Sequence, residues 1–443
     1  MTQILPLRPL TFKKALLYLL LPVLASMILI RAVPRLNLLF SHLSLTPTTA
    51  SILEHTSSSA HATSRSSFST TTTTTTTSHP TQPTTVKSKI MAYEKELQVA
   101  QLAVQRATRL TKRVFHEKAK GTLSKDDASP VTIGDFGAQA LIIAALKANF
   151  PADEIVAEEE ASDLRENEKL RGTVWDLVRS TKLDDAKAEE VLGGAVKTDE
   201  DMLKRLDEGA SQGGAKGRIW AIDPIDGTKG FLRGGQYAVC LALMVDGQVV
   251  VGVLGCPNLP VDDTAPLTAD IGQDADDNDG RGVIFSAVLG QGATSRPLTT
   301  GALAEERKIS MRPITDITKA NFCESVEAGH SSHGDQADIA NKLGITAPSV
   351  RMDSQAKYAS IARGAGDIYL RLPVKATYQE KIWDHAAGDL IVREAGGQVT
   401  DVNGNRLDFT VGRTLANNKG VVAAPAGGHA QVLKAVQEVL SKK

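Results

Sequence analysis

The chain has 443 residues, of which 42% are hydrophobic and 23% charged, so it holds enough apolar material for a large core. This length predicts two or three domains, or one large two-part enzyme. Its 50 Lys and Arg residues against 51 Asp and Glu leave a net charge of −1, which excludes a generally basic, nucleic-acid-binding surface. The 3 cysteines, with no CxxC spacing, exclude a disulfide scaffold and a structural zinc site, and are typical of a reducing compartment.

Residues 1–40 form a basic, hydrophobic segment without Asp or Glu. Its most apolar part, residues 15–30, contains Pro22 and is just short of the roughly 17–25 residues that a membrane-spanning helix needs. Three interpretations stay open: a membrane anchor, an organelle-targeting presequence, and a segment upstream of the true start that is not translated. Positive charge on both flanks leaves the orientation of an anchor open.

Residues 41–90 are rich in Ser and Thr, with an unbroken threonine run at Thr70–Thr77. Such a segment has almost nothing to bury, so it is predicted to be a disordered linker. At Met91 the composition changes to that of a cytoplasmic-type enzyme. We therefore expect one globular region over residues 91–443.

Apolar residues at three- and four-residue spacing predict a helix over Leu97–Val114 and a second over Ala138–Leu146, which ends near Asn149–Pro151. The charged stretch 161–215 predicts further helices and an exposed loop. The acidic segment 262–280 lacks the ligand spacing of a calcium loop and is predicted to be a solvated surface loop.

Strands dominate the middle of the chain, where Asp246–Gly247 predicts a hairpin turn. The predicted strands are Arg218–Ile222, Ala238–Val245, Gln248–Leu254, Val283–Leu289 and Ile368–Leu372. Helices are predicted over Asp335–Leu343, Asp384–Ala395 and Ala430–Leu440. Hairpins rather than regular βαβ units predict a layered α/β or α+β fold. The GxGxxG and GxxxxGK[ST] motifs of common nucleotide folds are absent from the sequence.

The most informative segment is an apolar strand that runs directly into two carboxylates, Asp223 and Asp226. Pro224 fixes the backbone between them, and Gly227 permits a sharp turn. Both carboxylates and the carbonyl of Ile225 can then face one point, as a hard divalent cation requires. The alternative is a turn in which Asp caps the next element.

Three more acidic residues lie at predicted element boundaries: Glu158 after a short apolar strand, Asp384 at a helix start, and Asp135 at the head of the second helix. For Asp135 and Asp384 a helix cap is the alternative. Carboxylates from four separate boundaries predict an oxygen-lined site for two or more metal ions, which suits phosphoryl chemistry. Magnesium fits because it prefers carboxylates together with substrate phosphate.

Ordered motifs make the chain resemble the inositol monophosphatase superfamily of lithium-sensitive, magnesium-dependent phosphatases. They are AEE at 157–159, SPVTIGDFGAQ from Ser129, DPIDGTKGF from Asp223 and WDHAAGDLIVREAGG from Trp383. GHSSH at 329–333, DSQAKY at 353–358, YLRLP at 369–373 and Lys229–Gly230 resemble more closely its branch of fungal and plant bisphosphate nucleotidases. The resemblance runs from about residue 92 to the C-terminus and implies a sandwich of alternating helix and sheet layers.

The resemblance also implies roles for single residues. The implied magnesium ligands are Glu158, Asp223, the Ile225 carbonyl, Asp226 and Asp384. Asp135 and Thr228 are implied to orient and deprotonate the attacking water, an arrangement typical of a general base. The implied substrate-binding residues are Thr228, His330, Ser354, Lys357, Arg371 and Asp384. Without the resemblance, Lys357 and Arg371 would be interpreted as surface charges.

The implied reaction is removal of the 3′-phosphate from adenosine 3′,5′-bisphosphate by a monomer, in support of sulfate assimilation, with 3′-phosphoadenylyl sulfate as a second substrate. An inositol phosphate phosphatase is the alternative within the superfamily. A non-catalytic, membrane-tethered nucleotide-binding protein is the alternative of another class. Two details depart from the family or stay open: Ala157 stands where the family usually has Gly, and Glu159 is the alternative ligand to Glu158.

Overall fold

The computed structural model describes residues 92–119, 129–264, 280–372, 374–375 and 377–442. The predicted N-terminal segment (1–40) and the predicted linker (41–90) lie outside these ranges, and so does most of the predicted acidic loop (262–280). The predictions for these segments stay predictions.

Helices and strands alternate irregularly along the described chain. The helices are α1 (Glu94–Ala119), α2 (Pro130–Asn149), α3 (Ser162–Glu166), α4 (Glu168–Ser180), α5 (Ala186–Leu192), α6 (Asp199–Asp207), α7 (Thr228–Arg233), α8 (His333–Leu343), α9 (Ala356–Ala362), α10 (Ala386–Glu394) and α11 (Ala426–Leu440). Short 3₁₀ helices occur at Ile317–Lys319 and Ile382–Asp384. The strands are β1 (Glu154–Ala157), β2 (Arg218–Asp226), β3 (Ala238–Val245), β4 (Gln248–Pro260), β5 (Arg281–Val288), β6 (Gly292–Pro297), β7 (Arg307–Ile309), β8 (Phe322–Glu324), β9 (Val350–Arg351), β10 (Ile368–Arg371), β11 (Gly397–Thr400) and β12 (Val421–Pro425).

The strands form two sheets. The first has 7 strands in the order β1-β2-β3-β4-β5-β6-β7, in which β1 and β2 are parallel and the later pairs antiparallel. The second has 5 strands in the order β11-β12-β10-β8-β9, with β10, β8 and β9 parallel and β12 antiparallel to both of its neighbours. The hairpin between β3 and β4 is confirmed.

Alternation along β2 shows how the layers are built. Trp220 and Ile222 pack into a cluster with α1 and α2, whereas Ile219 and Ala221 pack into a cluster with α9, α10 and the second sheet. The far face of the second sheet is covered by α8 and α11. The order is therefore helix, sheet, helix, sheet, helix, which confirms the predicted layered fold. Because side chains alternate between the two faces of a strand, Asp223 lies on the same face as Ile219 and Ala221, towards the central helices.

Helix α2 corrects one prediction. It begins at Pro130, which suits the first helical turn because proline lacks the N–H that would stay unpaired there. Asp135 therefore lies in the second turn, and the interpretation of Asp135 as a helix cap is wrong. By length and composition α2 is apolar enough to cross a membrane, but 83% of its most apolar window is buried inside the protein. It is a core helix.

Strand β2 corrects a second prediction. The strand was expected to end at Ile222, but it continues to Asp226 with an irregularity in its pairing to β3 between Asp223 and Asp226. Pro224 cannot donate a ladder hydrogen bond, which accounts for the irregularity at this place. Both carboxylates thus lie on the end of a strand. Helix α10 likewise begins after a 3₁₀ turn that ends at Asp384, and no side-chain cap is formed there.

We expect Gly388→Ala to destabilise the protein, because a methyl group on Gly388 of α10 would overlap the ring of Tyr358, which is fully buried on α9. Overpacking of this kind costs about 1–3 kcal/mol. The matched control is Gly172→Ala in α4, where nothing lies within 4 Å of an added methyl group. This control should be neutral or stabilise by about 0.5–1 kcal/mol. Urea unfolding of both variants measures the difference, and equal stabilities would contradict the packing described.

Candidate active site

The ends of β1 and β2 face the segments that precede α9 and α10 across a cavity of about 310 Å³. The cavity brings together nearly all the residues predicted from the sequence. Those that line it are Glu158, Asp223, Ile225, Asp226, Thr228, His330, Ser354, Lys357, Arg371 and Asp384. Asp135, the remaining predicted residue, lies behind the cavity, close enough to Glu158 and Glu159 for their charges to act on it.

One end of the cavity is acidic. Carboxylate oxygens of Asp223, Asp226 and Asp384 lie within 4.8 Å of one another. Burial and the charge of Asp226 raise the pKa of Asp384 to about 7. Burial, followed by the charge of Glu158, raises the pKa of Asp223 well above its usual range. Like charges held this close disfavour the ionised state of each group.

Glu158 and Glu159 can now be distinguished by position. Glu158 lines the cavity, and partial desolvation of its carboxylate together with the charge of Glu159 raises its pKa to about 7, although the residue as a whole is exposed. Glu159 lies outside the lining, and the carboxylate that most affects its pKa is Asp163. The structure therefore favours Glu158 as the residue that faces the acidic cluster.

The acidic end fits a bound cation. Oδ1 of Asp135 and Oδ1 of Asp223 are buried without a hydrogen-bond partner in the part of the chain that the structure describes. Leaving buried charged oxygens unpaired is strongly unfavourable. An all-oxygen donor set of this kind is what a hard divalent ion such as Mg²⁺ prefers.

The turn after β2 places Asp226 against the start of α9. Gly227 has φ +90°, a region that favours glycine, and a methyl group there would lie 2.9 Å from Cβ of Ser354. The close approach lets the backbone N–H of Gln355 donate to Oδ2 of Asp226 at 2.5 Å. Ser354 itself has a positive φ of 67°, which is uncommon for a non-glycine residue.

Two glutamines that the sequence analysis missed hold these segments together. The side chain of Gln355 donates to the carbonyl of Trp383 at 2.8 Å and accepts from the N–H of Gly388 at 2.9 Å, so it spans from Asp226 to the segment of Asp384. Gln139 on α2 donates to the carbonyl of Glu159 at 2.8 Å and accepts from its N–H at 3.0 Å. The DSQAKY and SPVTIGDFGAQ motifs contain both residues, but nothing in the sequence pairs them with these partners.

The opposite end of the cavity is basic. Lys357 is buried, and its Nζ donates to the carbonyls of Ser354 at 2.8 Å and Met352 at 3.2 Å. Burial lowers its pKa to about 8. Arg371, at the end of β10, donates through Nε to Oε1 of Glu380 at 3.0 Å. Lys357 and Arg371 are thus not solvated surface charges, since both face the cavity.

His330 lies at the exposed edge of the basic end. Partial burial, and after it the positive charge of Arg371, lowers the pKa of His330, which favours a neutral ring at pH 7. A neutral imidazole can both donate and accept a hydrogen bond. Its position at the rim places it beside the basic groups and away from the carboxylate cluster.

The layered fold and an acidic site that fits metal ions define the class of metal-dependent phosphatases. The chain belongs to the inositol monophosphatase family, whose model matches residues 92–441. A 3′(2′),5′-bisphosphate nucleotidase of Emericella nidulans is 68% identical over 350 residues, which cover 79% of this chain and 99% of that protein. A 3′(2′),5′-bisphosphate nucleotidase of Schizosaccharomyces pombe is 50% identical over 357 residues, covering 80% and 98%. Among solved structures, an inositol monophosphatase from Zymomonas mobilis matches with a TM-score of 0.48 and 18% identity over 78% of this chain and 99% of that one.

The structure also shows how Ala157 is accommodated next to Glu158. Its methyl group faces Gly209, where an added Cβ would lie only 2.8 Å from it. The carbonyl of Ala157 accepts a hydrogen bond from Arg413 at 2.6 Å. The backbone before Glu158 is therefore held in place with alanine at this position.

We expect Gln355→Ala to weaken both the fold and the site, because it leaves the Trp383 carbonyl and the Gly388 N–H without a buried partner. Each such loss costs about 1–3 kcal/mol. Thermal unfolding measures the change in stability, and isothermal titration with MgCl₂ measures the change in metal affinity. The matched control is Gln212→Ala, whose side chain is exposed and, within the described ranges, donates to the carbonyl of Ala210 at 3.2 Å. If Gln355→Ala behaves like this control, Gln355 does not brace the two segments.

Proposed function

We propose that the protein is a magnesium-dependent phosphatase that hydrolyses the 3′-phosphate of adenosine 3′,5′-bisphosphate to give AMP and phosphate. The observation that carries the proposal is a single cavity with carboxylates at one end and the buried Lys357 and half-buried Arg371 at the other. A bisphosphate matches both ends, with the reacting phosphate at the carboxylates and the retained one at the basic groups. The nucleotidase names of the close relatives support the same substrate.

The acidic end supplies the residues that would hold two or more Mg²⁺ ions. They are the carboxylates of Glu158, Asp223, Asp226 and Asp384 and the carbonyl of Ile225. When bound, such ions neutralise phosphate charge and lower the pKa of water. Ile225 is buried against α2, where its side chain would contact any methyl group added to Gly134. This packing fixes the backbone between Asp223 and Asp226.

Asp135 and Thr228 are the proposed pair for the attacking water. Thr228 lines the cavity two residues after Asp226, so its hydroxyl can accept a hydrogen bond from a water placed there. Asp135 is buried, and burial followed by the charges of Glu159 and Glu158 raises its pKa, which favours proton uptake. The water oxygen attacks phosphorus in line with the 3′-oxygen, and its proton passes to this pair. The bond from phosphorus to the 3′-oxygen breaks with its electron pair on that oxygen, which takes a proton from solvent to become the 3′-hydroxyl of AMP. No phospho-enzyme forms.

Further properties are proposed from the family resemblance. They are hydrolysis of 3′-phosphoadenylyl sulfate, a role in sulfate assimilation, inhibition by lithium and a monomeric state. Of the two competing functions, an inositol (poly)phosphate 1-phosphatase is disfavoured by the GHSSH and DSQAKY motifs. An inositol monophosphate would, in addition, offer no second phosphate to Lys357 and Arg371. A non-catalytic nucleotide-binding function would not account for the carboxylate cluster.

The test measures phosphate release by the full chain from adenosine 3′,5′-bisphosphate and from inositol 1-phosphate, with Mg²⁺, with EDTA and with added lithium. We expect release from the nucleotide that EDTA abolishes, Mg²⁺ restores and lithium suppresses. The same assay on residues 91–443 tests whether the N-terminal segment is needed. Release from the inositol ester alone would contradict the proposed substrate, and no release from either would favour the binding protein.

Replacing Asp135 by Asn should lower turnover by roughly 10²–10⁴-fold, the usual contribution of a general base, and Asp226→Asn should abolish turnover through loss of a ligand. Circular dichroism and thermal unfolding verify that both variants keep the fold. Retained activity in either variant would contradict the corresponding assignment.

The pH dependence of kcat/KM should reflect the protonation of Lys357, because kcat/KM depends on the pKa values of groups in the free enzyme. Burial lowers the pKa of Lys357 to about 8, so its positive charge is present below that pH and is lost above it. We expect kcat/KM for adenosine 3′,5′-bisphosphate to fall above about pH 8 as the retained phosphate loses its partner. 3′-AMP, which lacks that phosphate, is the control substrate and should not show the same fall. Parallel pH profiles for the two substrates would exclude Lys357 as the cause.

A further inference from the structure

Glu380 lies directly behind the basic end of the cavity and is 6% exposed. Its Oε1 accepts from Nε of Arg371 at 3.0 Å, and its Oε2 lies 3.2 Å from Nε2 of His385. The other ring nitrogen of His385 lies 2.8 Å from the hydroxyl of Tyr358. Arg371, Glu380, His385 and Tyr358 thus form one chain of hydrogen bonds. The hydrogen bonds and charges of Arg371 and His385 lower the pKa of Glu380 to about 2 despite its burial, so it stays ionised at neutral pH.

The backbone of Glu380 is fixed as well. Its carbonyl accepts from the N–H of Leu415 at 2.8 Å, and the next residue, Lys381, forms an isolated antiparallel bridge with Thr414. The N–H of Ile382 donates to the carbonyl of Arg413 at 3.2 Å. A carboxylate on a segment held in this way can hold the side chain that binds it.

A metal site is the other interpretation of this cluster, because Glu380, Asp384 and His385 have ligand atoms within 4.8 Å of one another. The hydrogen bonds argue against it. Both oxygens of Glu380 and both ring nitrogens of His385 already have partners. The guanidinium of Arg371, a fixed positive charge whose Nε lies 3.0 Å from Oε1 of Glu380, would repel a cation bound at this carboxylate. We therefore assign the cluster to holding Arg371.

We propose that Glu380 is a positioning residue for Arg371, and that through Arg371 it sets the preference for substrates that carry a second phosphate. This proposal rests on the proposed function. A carboxylate that engages Nε does not use the two terminal amino groups of Arg371, which are then available to the cavity that Arg371 lines. The Tyr378 hydroxyl, which lines the cavity, accepts a hydrogen bond from Arg371. Lysine has a single amino group, so it cannot be held from behind and bind phosphate in the same geometry.

The test compares adenosine 3′,5′-bisphosphate with 3′-AMP, which lacks the retained phosphate, in full-length Glu380→Gln. We expect KM for the bisphosphate to rise about tenfold or more, with kcat within about threefold, because a charge-assisted bond that orients Arg371 is lost. For 3′-AMP we expect kcat/KM within about threefold of the native value. The ratio of the two kcat/KM values, which is the preference for the second phosphate, should therefore fall about tenfold.

Arg371→Lys is the second variant, and it tests the proposal even if Glu380→Gln fails to fold. It keeps the positive charge but removes the group that Glu380 holds, so it should reproduce the loss of preference. Adding Glu380→Gln to Arg371→Lys should then lower the preference little further. A native preference in Arg371→Lys would overturn the proposal.

The matched control is Asp367→Asn, a buried carboxylate that pairs with Arg312 at 2.6 Å outside the cavity lining. It should lower the thermal stability and leave the preference unchanged.

The proposal would be overturned if Glu380→Gln lowered kcat/KM equally for the bisphosphate and for 3′-AMP, with or without a higher Mg²⁺ requirement. Glu380 would then act through the fold or through Asp384. Failure of the native protein to cleave the bisphosphate would overturn the proposed function and this inference with it. Normal native activity with an unchanged preference in Glu380→Gln would overturn the inference alone.

Discussion

The mutual repulsion of closely spaced carboxylates is the constraint on which the rest of the site depends. Asp223, Asp226 and Asp384 come from two different segments, and their carboxylate oxygens converge within 4.8 Å. Burial raises the pKa of all three, and the charge of neighbouring carboxylates raises it further for Asp223 and Asp384. Holding them together takes bonds from outside the cluster, such as the N–H of Gln355 on Asp226 and the Gln355 side chain on the segment of Asp384. The arrangement favours cation binding because a cation removes the repulsion that the fold imposes.

The two ends of the cavity come from different layers. The first sheet delivers Glu158, Asp223 and Asp226 at the ends of β1 and β2, and the 3₁₀ turn before α10 delivers Asp384. Arg371, in contrast, ends β10 of the second sheet, and Lys357 lies on α9 between the sheets. The proposed substrate-binding residues and the proposed metal ligands therefore meet because the central helices pack between both sheets. The two central helices α9 and α10 approach closely at Gly388, whose lack of a side chain leaves room for the ring of Tyr358.

Local chemistry explains which parts could be predicted from the sequence. Asp223 and Asp226 could be found because Pro224 and Gly227 mark their geometry within one short segment, and the layered fold followed from hairpins and helix periodicity. Gln139, Gln355 and Glu380 could not be found, since their partners lie elsewhere in the fold and no spacing encodes them. Strands such as β8 and β9 are only 3 and 2 residues long, too short for periodicity to appear. The error on Asp135 arose because Pro130, not the first apolar stripe, begins α2.

Helix α2 has a consequence for any prediction of membrane topology from hydropathy. A window scan would count it as a crossing beside the apolar stretch at residues 15–30, and would place Asp135 and Gln139 at bilayer depth. In the structure the same helix packs beside α1 against the first sheet. Its apolar surface is satisfied by protein rather than by lipid. A topology that places α2 in a bilayer would therefore remove it from the helix layer that packs against the first sheet, and with it Asp135.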